Sequence, residues 1–176
     1  MKKLMTLLTM IGIFTITAHF SNAQTAGTQP DTATLNFIKQ ASTAGMKEVK
    51  AGRLAVQKGK SASVKAFGSR MVTDHSKANA KLMHIIKSKG WQITPPSDAD
   101  TAPDAMLNSS SGADFDKSYV TMMVQDHQKT VALFENAATN VTDPDIKAFV
   151  QETLPKLKEH LTDIQAIAAK MNISTR

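Results

Sequence analysis

Four stretches of the chain set apolar residues on one helical face, repeating about every 3.6 positions, and none alternates with the period of two that a strand needs. The first series is Ile38, Ala41, Gly45, Val49, Gly52 and Val56, and the second is Val64, Phe67, Met71, Ala78, Leu82 and Ile85. The third is Phe115, Tyr119, Met123, Thr130, Phe134 and Ala137, and the fourth is Ile146, Val150, Thr153, Leu157, Leu161 and Ile164. A helix with one apolar stripe must bury it. Four such helices bury their stripes together as an all-α, antiparallel four-helix bundle.

Local signals place the helix ends. Asp31 or Thr32 caps the first helix, which runs to about Lys58, and Gly59-Lys60-Ser61 is the turn. The second helix, capped by Ser61 or Ser63, runs to Lys89 and stops at Gly90, a residue suited to the left-handed position after a helix. Trp91 to Ala102, with Pro95-Pro96, reads as a loop, and residues 103–110 as a short helical turn. The third helix spans about Ala113 to Thr139, after Gly112. Asp143-Pro144 opens the fourth, which runs to about Met171. Pro155 lies inside it and is expected to kink it, at about 3 kcal/mol unless packing compensates. Short links make two antiparallel hairpins, and the longer second-to-third link can cross the length of the bundle. Gly45 and Gly52 leave room for a neighbouring helix to come close. Met71-Val72-Thr73-Asp74-His75-Ser76-Lys77 is echoed by Met123-Val124-Gln125-Asp126-His127-Gln128-Lys129, as a duplicated two-helix unit would leave it.

Ahead of the helices, Lys2 and Lys3 precede an apolar run from Leu4 to Phe20 that ends at Ser21-Asn22-Ala23. This is the pattern of a secretory signal peptide, 1–23, cleaved before Gln24. Residues 24–30 read as a disordered leader, and 31–176 as one domain. The expected location is the periplasm or cell envelope. The chain has no cysteine, so export brings neither a disulfide nor a lipid anchored on cysteine. Removing Lys2 and Lys3 from the 21 basic residues leaves 19 against 15 acidic ones. That mild excess is dispersed along the helices and, with one Trp and one Tyr, does not point to nucleic acid. The ten Met residues read as core filling.

The seams are not wholly apolar. At about 100° per residue, Asp74 and His75 flank Met71 on the second helix at about −60° and +40°, and Asp126 and His127 flank Met123 on the third at the same angles. Glu48 on the first helix and His160 on the fourth also fall on inward shoulders. All six lie near mid-length, so Glu48, Asp74, His75, Asp126, His127 and His160 are the candidate metal ligands. Three carboxylates and three imidazoles suit iron, manganese or zinc, and imidazole with thioether suits copper. The alternative is an internal hydrogen-bond network of Asp-His pairs that sets helix register. His84 reads as peripheral, and Glu152 and Glu159 as solvated.

Several segments carry a resemblance. Glu48-Val49 with Gly52-Arg53-Leu54-Ala55, Val64-Lys65-Ala66-Phe67 with the run from Met71 to Asn79, and Phe115-Asp116-Lys117-Ser118-Tyr119 are similar to the family named domain of unknown function 4142. So are Asp126-His127-Gln128-Lys129, Val131 to Glu135, and Thr153-Leu154-Pro155 through His160. The resemblance implies a ferritin-like helical fold in exported bacterial proteins, some labelled outer-membrane proteins, and it implies no established activity. Neither half carries the Glu-x-x-His pair of di-iron ferritins: Val72 and Leu157 stand three residues before His75 and His160. No nucleophile elbow, phosphate loop or zinc-protease helix motif is present. The chain therefore reads as a binding or storage protein, or as a structural or stress-related envelope interaction protein, more than as a redox enzyme on a metal centre, with peripheral envelope association open and no partner indicated.

Overall fold

The computed structural model describes residues 29–174; the expected signal peptide and most of the leader lie outside them. The described chain is all-helical, with four long helices and one short one: α1 (Thr32–Lys58), α2 (Ala62–Ser88), α3 (Ala105–Ser109), α4 (Gly112–Asn140) and α5 (Pro144–Lys170). Each long helix packs against two others, in the cyclic order α1, α2, α5, α4. Among the described residues, every sequence-derived helix boundary falls within two residues of the observed one.

Side chains and loop residues close the helix ends. Asp31 Oδ1 accepts the Thr34 amide at 2.9 Å, and Thr142 donates to its other oxygen at 2.6 Å, joining the start of α1 to the α4–α5 turn. Asp143 accepts the Asp145 and Ile146 amides at the start of α5. At the end of α2, Gly90 (φ +67°) lets the Trp91 amide reach Ile86 O and the Gly90 amide reach Lys87 O, a Schellman closure. Asn172 (φ 55°) does the same after α5. The start of α2 differs. Ser61 makes no side-chain cap; Asp116, from the second turn of α4, accepts the Lys60 amide at 2.9 Å and the Ser61 amide at 2.7 Å. Gly59 and Gly112 form an isolated bridge beside it.

That junction fixes the topology. α2 and α4 both begin next to Gly59, so they run the same way, and each is antiparallel to α1. The long link starts at the far end, where Trp91 is buried, and returns along α1. Lys50 donates to Asp98 at 2.9 Å and to Thr101 at 2.7 Å, and Lys58 to the Asn108 carbonyl at 2.5 Å. Thr101 is fully buried and Leu107 is 1 % exposed, so part of this loop belongs to the core.

The α1 seam departs from expectation by one position at its C-terminal end. Ala55 is fully buried while Val56 is 41 % exposed. The reason is close backbone approach. A Cβ on Gly68 would meet the Ala55 Cβ at 2.7 Å and the Gly52 carbonyl at 2.8 Å. Only small residues fit there, and the bulkier valine is turned out. Gly45, by contrast, faces the Asn79 side chain. On α4 the expected Thr130 yields to Val131, four residues after His127. α5 passes through Pro155 without interruption. Pro155 and Gln151 are exposed, so water can reach the Gln151 carbonyl that loses its donor.

The apolar interior falls into two clusters. One gathers Phe37, Ile38, Leu82, Ile86, Trp91, Phe134, Ile146 and Phe149; the other gathers Ala55, Val64, Phe67, Met71, Phe115, Tyr119, Met123 and Ile164. Each long helix crosses from one to the other at a polar residue. On α1 it is Glu48, between Ala41 and Ala51; on α2 it is His75, between Met71 and Leu82. On α4 it is His127, between Val124 and Val131; on α5 it is His160, between Leu157 and Ile164.

Candidate metal centre

The polar layer is built around three histidines. His75, His127 and His160 are 6 %, 0 % and 1 % exposed. Their ring centroids lie 5.5–5.8 Å apart, and one ring nitrogen from each lies within 4.8 Å of those of the other two. A metal at about 2.0–2.1 Å from each nitrogen would hold them about 3.4 Å apart in tetrahedral geometry. Closure by roughly an ångström or so is enough.

On two of the three rings the outer nitrogen is already committed. His127 Nδ1 lies 2.9 Å from the Met123 carbonyl one turn back. A carbonyl only accepts, so Nδ1 carries the proton and Nε2 bears the lone pair. His160 Nε2 lies 2.9 Å from Asp74 Oδ2. The ionised carboxylate fixes the proton on that nitrogen and leaves Nδ1 as the donor atom. Among the described residues, His75 Nε2, His127 Nε2 and His160 Nδ1 are buried without a hydrogen-bond partner. Carboxylate or carbonyl behind, lone pair in front, is how proteins orient metal-binding histidines.

The carboxylates take other roles than the expected one. Asp74 stands behind His160 and is held by Arg70 at 3.4 Å. Arg70 continues to Glu159 and Asp163 on α5, so Glu159, read as solvated, joins an inter-helix ion-pair group. Glu48 is buried, with Oε1 3.6 Å from His127 Nδ1, too far for a hydrogen bond. Asp126 is the correction. Its side chain is 38 % exposed and pairs with Lys129 at 3.5 Å. Asp74 and Asp126 share a motif and a helical angle, but Asp74 meets an imidazole from α5, whereas the acid facing Asp126 is Glu48 of α1. Asp126 meets no cation there, and its side chain turns to Lys129 at the surface. The expected convergence of six ligands narrows to three histidines with Glu48 and Asp74 behind them. Tyr119, read from sequence only as a core residue, brings a buried, unpartnered hydroxyl to the same region, and Phe67 sets its ring against Tyr119, His127 and His160.

The electrostatics favour uncharged rings. Burial, then repulsion from His127 and His160, brings His75 down to about 3. Burial, then His160, brings His127 down to about 4. Burial also lowers His160, against the pull of Asp74. Burial works to raise Asp74, but His160 and Arg70 hold it below the usual carboxylate range. Burial, reinforced by Asp126, raises Glu48 to about 8. At neutral pH the centre therefore holds neutral imidazoles beside a protonated Glu48.

A pH dependence follows. Below about pH 6.5 the unfolded chain protonates its histidines and the native apoprotein does not, so stability falls as pH drops towards the folded values. Each histidine contributes up to about 1.4 kcal/mol per pH unit. Glu48 acts with the opposite sign: its contribution is full below its ordinary value of 4.5 and is lost as pH rises towards 8. With three groups against one, the apoprotein's melting temperature is expected to peak near about pH 6.5–7, with the steeper fall on the acid side. Thermal melts in chelator from pH 4.5 to 8.5 check this, and a flat acid limb would contradict it.

Fold and site together define an all-helical protein with a buried three-histidine cluster at mid-length. The chain belongs to the family described as domain of unknown function (DUF4142), whose profile matches residues 19–167. No curated protein matches it. Among solved structures it is similar to the crystal structure of a DUF305 fragment from Deinococcus radiodurans, with a TM-score of 0.70 and 9 % identity, covering 81 % of this chain and 99 % of that one. At that identity the likeness is one of fold. Among the described residues, no helix is long and apolar enough to cross a membrane.

Proposed function

We propose that this chain is an exported metal-binding protein of the cell envelope, a ferritin-like four-helix bundle that holds one first-row transition ion on His75, His127 and His160. The observation that carries the reading is three buried histidines, one ring nitrogen of each within 4.8 Å of one of each other ring, that each carry a buried nitrogen without a hydrogen-bond partner among the described residues. Leaving such atoms unpaired costs about 1–3 kcal/mol each, and a metal ion satisfies all three at once. A purely structural network would pair them with one another or with acids. Among the described residues, of these three only His160 has an acid within hydrogen-bonding distance, and through its outer nitrogen.

The donor set narrows the ion. Three neutral imidazoles suit zinc, copper and iron. Manganese prefers oxygen ligands, and a di-iron centre needs bridging carboxylates, so neither fits as well. Met71 and Met123, one turn before His75 and His127, add thioethers to the same neighbourhood and keep copper in view. Export rests on the 1–23 segment, and peripheral envelope attachment is compatible with the lack of a spanning helix among the described residues.

Metal analysis of protein purified without chelator, then reconstituted with zinc or copper, tests the reading. About one equivalent per chain is expected in wild type, with a rise in melting temperature that grows with free metal. His75→Ala and His127→Ala are expected to lose it. Equal metal content in all three proteins would refute the proposal.

A further inference from the structure

The three histidines are not held alike. His127 Nδ1 is bonded to the Met123 carbonyl and His160 Nε2 to Asp74, each at 2.9 Å. No hydrogen bond joins His75 to another described residue, and at 6 % it is the most exposed of the three, against 0 % and 1 %. An imidazole tied by its outer nitrogen keeps its orientation, whereas an untied one can change rotamer. His75 also stands at an opening. A groove of about 290 Å³ between α2 and α5 has His75, His160 and Asp74 on its lining. Lys81 pairs with Glu152 across it and Lys156 pairs with Glu159, so neither lysine opposes an entering cation unbalanced; Lys77 and Asp74 are the other charges on the lining. A larger groove, about 490 Å³ between α1 and α4, is lined by Glu48 and Asp126 and by none of the three histidines. Glu48 approaches His127 on Nδ1, at 3.6 Å, the nitrogen that carries the proton and not the lone pair.

Resting on the metal reading above, we propose that the ion enters and leaves through the α2–α5 groove, and that His75 is the ligand that swings to admit it while His127 and His160 form a fixed seat. The groove reaches two of the three ligands directly, and one of these is the untethered ring. His127 is fully buried and off the groove lining, so it meets the ion last. Closure of the nitrogens around the ion falls mainly to His75, because turning either of the other rings breaks a hydrogen bond.

Cobalt(II) uptake by the metal-free full chain, followed through the cobalt absorption bands, and release into excess chelator test the route. Thr153→Leu and Ala78→Leu fill the α2–α5 groove. Each is expected to slow uptake and release together by about tenfold and to leave the dissociation constant unchanged, because an obstruction raises the barrier in both directions. Thr43→Leu and Thr130→Leu fill the α1–α4 groove instead and are expected to exchange cobalt at the wild-type rate. Diethyl pyrocarbonate, which modifies accessible uncharged imidazoles, tests His75 without any variant. In the metal-free protein it is expected to label His75 about tenfold faster than His127 and His160, whose hydrogen bonds must open first. Bound zinc is expected to protect His75. Wild-type exchange rates in both α2–α5 variants, or slowed exchange in the α1–α4 pair, overturn the route and leave the metal reading standing. Labelling without preference for His75 overturns its role as the moving ligand. Absence of bound cobalt in wild type overturns the metal reading itself, and this inference with it.

Discussion

His75→Leu is expected to abolish metal binding and, in the metal-free protein, to raise stability by about 1–3 kcal/mol. The two effects have opposite signs because His75 is poorly accommodated by the apoprotein. Its ring is 6 % exposed and its Nε2 is buried without a partner among the described residues. Burial and the two neighbouring histidines bring its pKa down to about 3. Leucine fills similar volume, removes an unsatisfied polar atom, and lies between Met71 and Leu82 on the same face. The metal-loaded comparison reverses the order, since only wild type gains from the ion. Denaturant unfolding of both proteins in chelator and in excess zinc measures all four values. If the histidines were structural glue, His75→Leu would lower stability in chelator and leave metal content unchanged.

The largest loss of stability is expected far from this centre, at Asp116. Asp116→Ala should cost about 3–5 kcal/mol, because the carboxylate accepts two backbone amides and charged acceptors contribute about 1.5–3 kcal/mol each. Those amides belong to Lys60 and Ser61, in the turn that starts α2, while Asp116 sits on α4 and is 3 % exposed. One side chain thus caps a helix and pins the α1–α2 hairpin to α4. For a domain of this size, the melting temperature should drop by about 6–20 °C. Asp116→Asn, with one acceptor oxygen in place of two, should fall between. A drop of only a degree or two in Asp116→Ala would mean that water replaces the carboxylate at both amides.

The sequence made the helices legible because their ends are local chemistry. Asp31, Gly90 and Asp143-Pro144 act within a few residues of themselves, and the apolar period needs no knowledge of neighbours. Asp116 had no such signal, since its partners are more than fifty residues away in the chain. The site shows the same division. Helical angle placed His75, His127 and His160 correctly on the interior side. It gave Asp74 and Asp126 the same direction, and only the residue across the helix interface separates them: His160 for one, Glu48 for the other. The one-position shift of the α1 seam has the same origin, because the Gly52–Gly68 contact belongs to two helices and is visible in neither alone.

The three histidines come from α2, α4 and α5, and α1 supplies none. A bound ion would therefore close two chain loops, one spanning the long link and one spanning the α4–α5 turn. In a chain without cysteine, that is the role a disulfide plays elsewhere: it removes conformations from the unfolded ensemble and makes the three helices separate as a unit or not at all. α1 stays outside the closed loops, held by packing, by its caps, and by Lys50 and Lys58 on the returning loop. The loaded protein would then be joined in two ways, a trio of helices tethered through the ion and a fourth joined to them by packing and side-chain contacts alone.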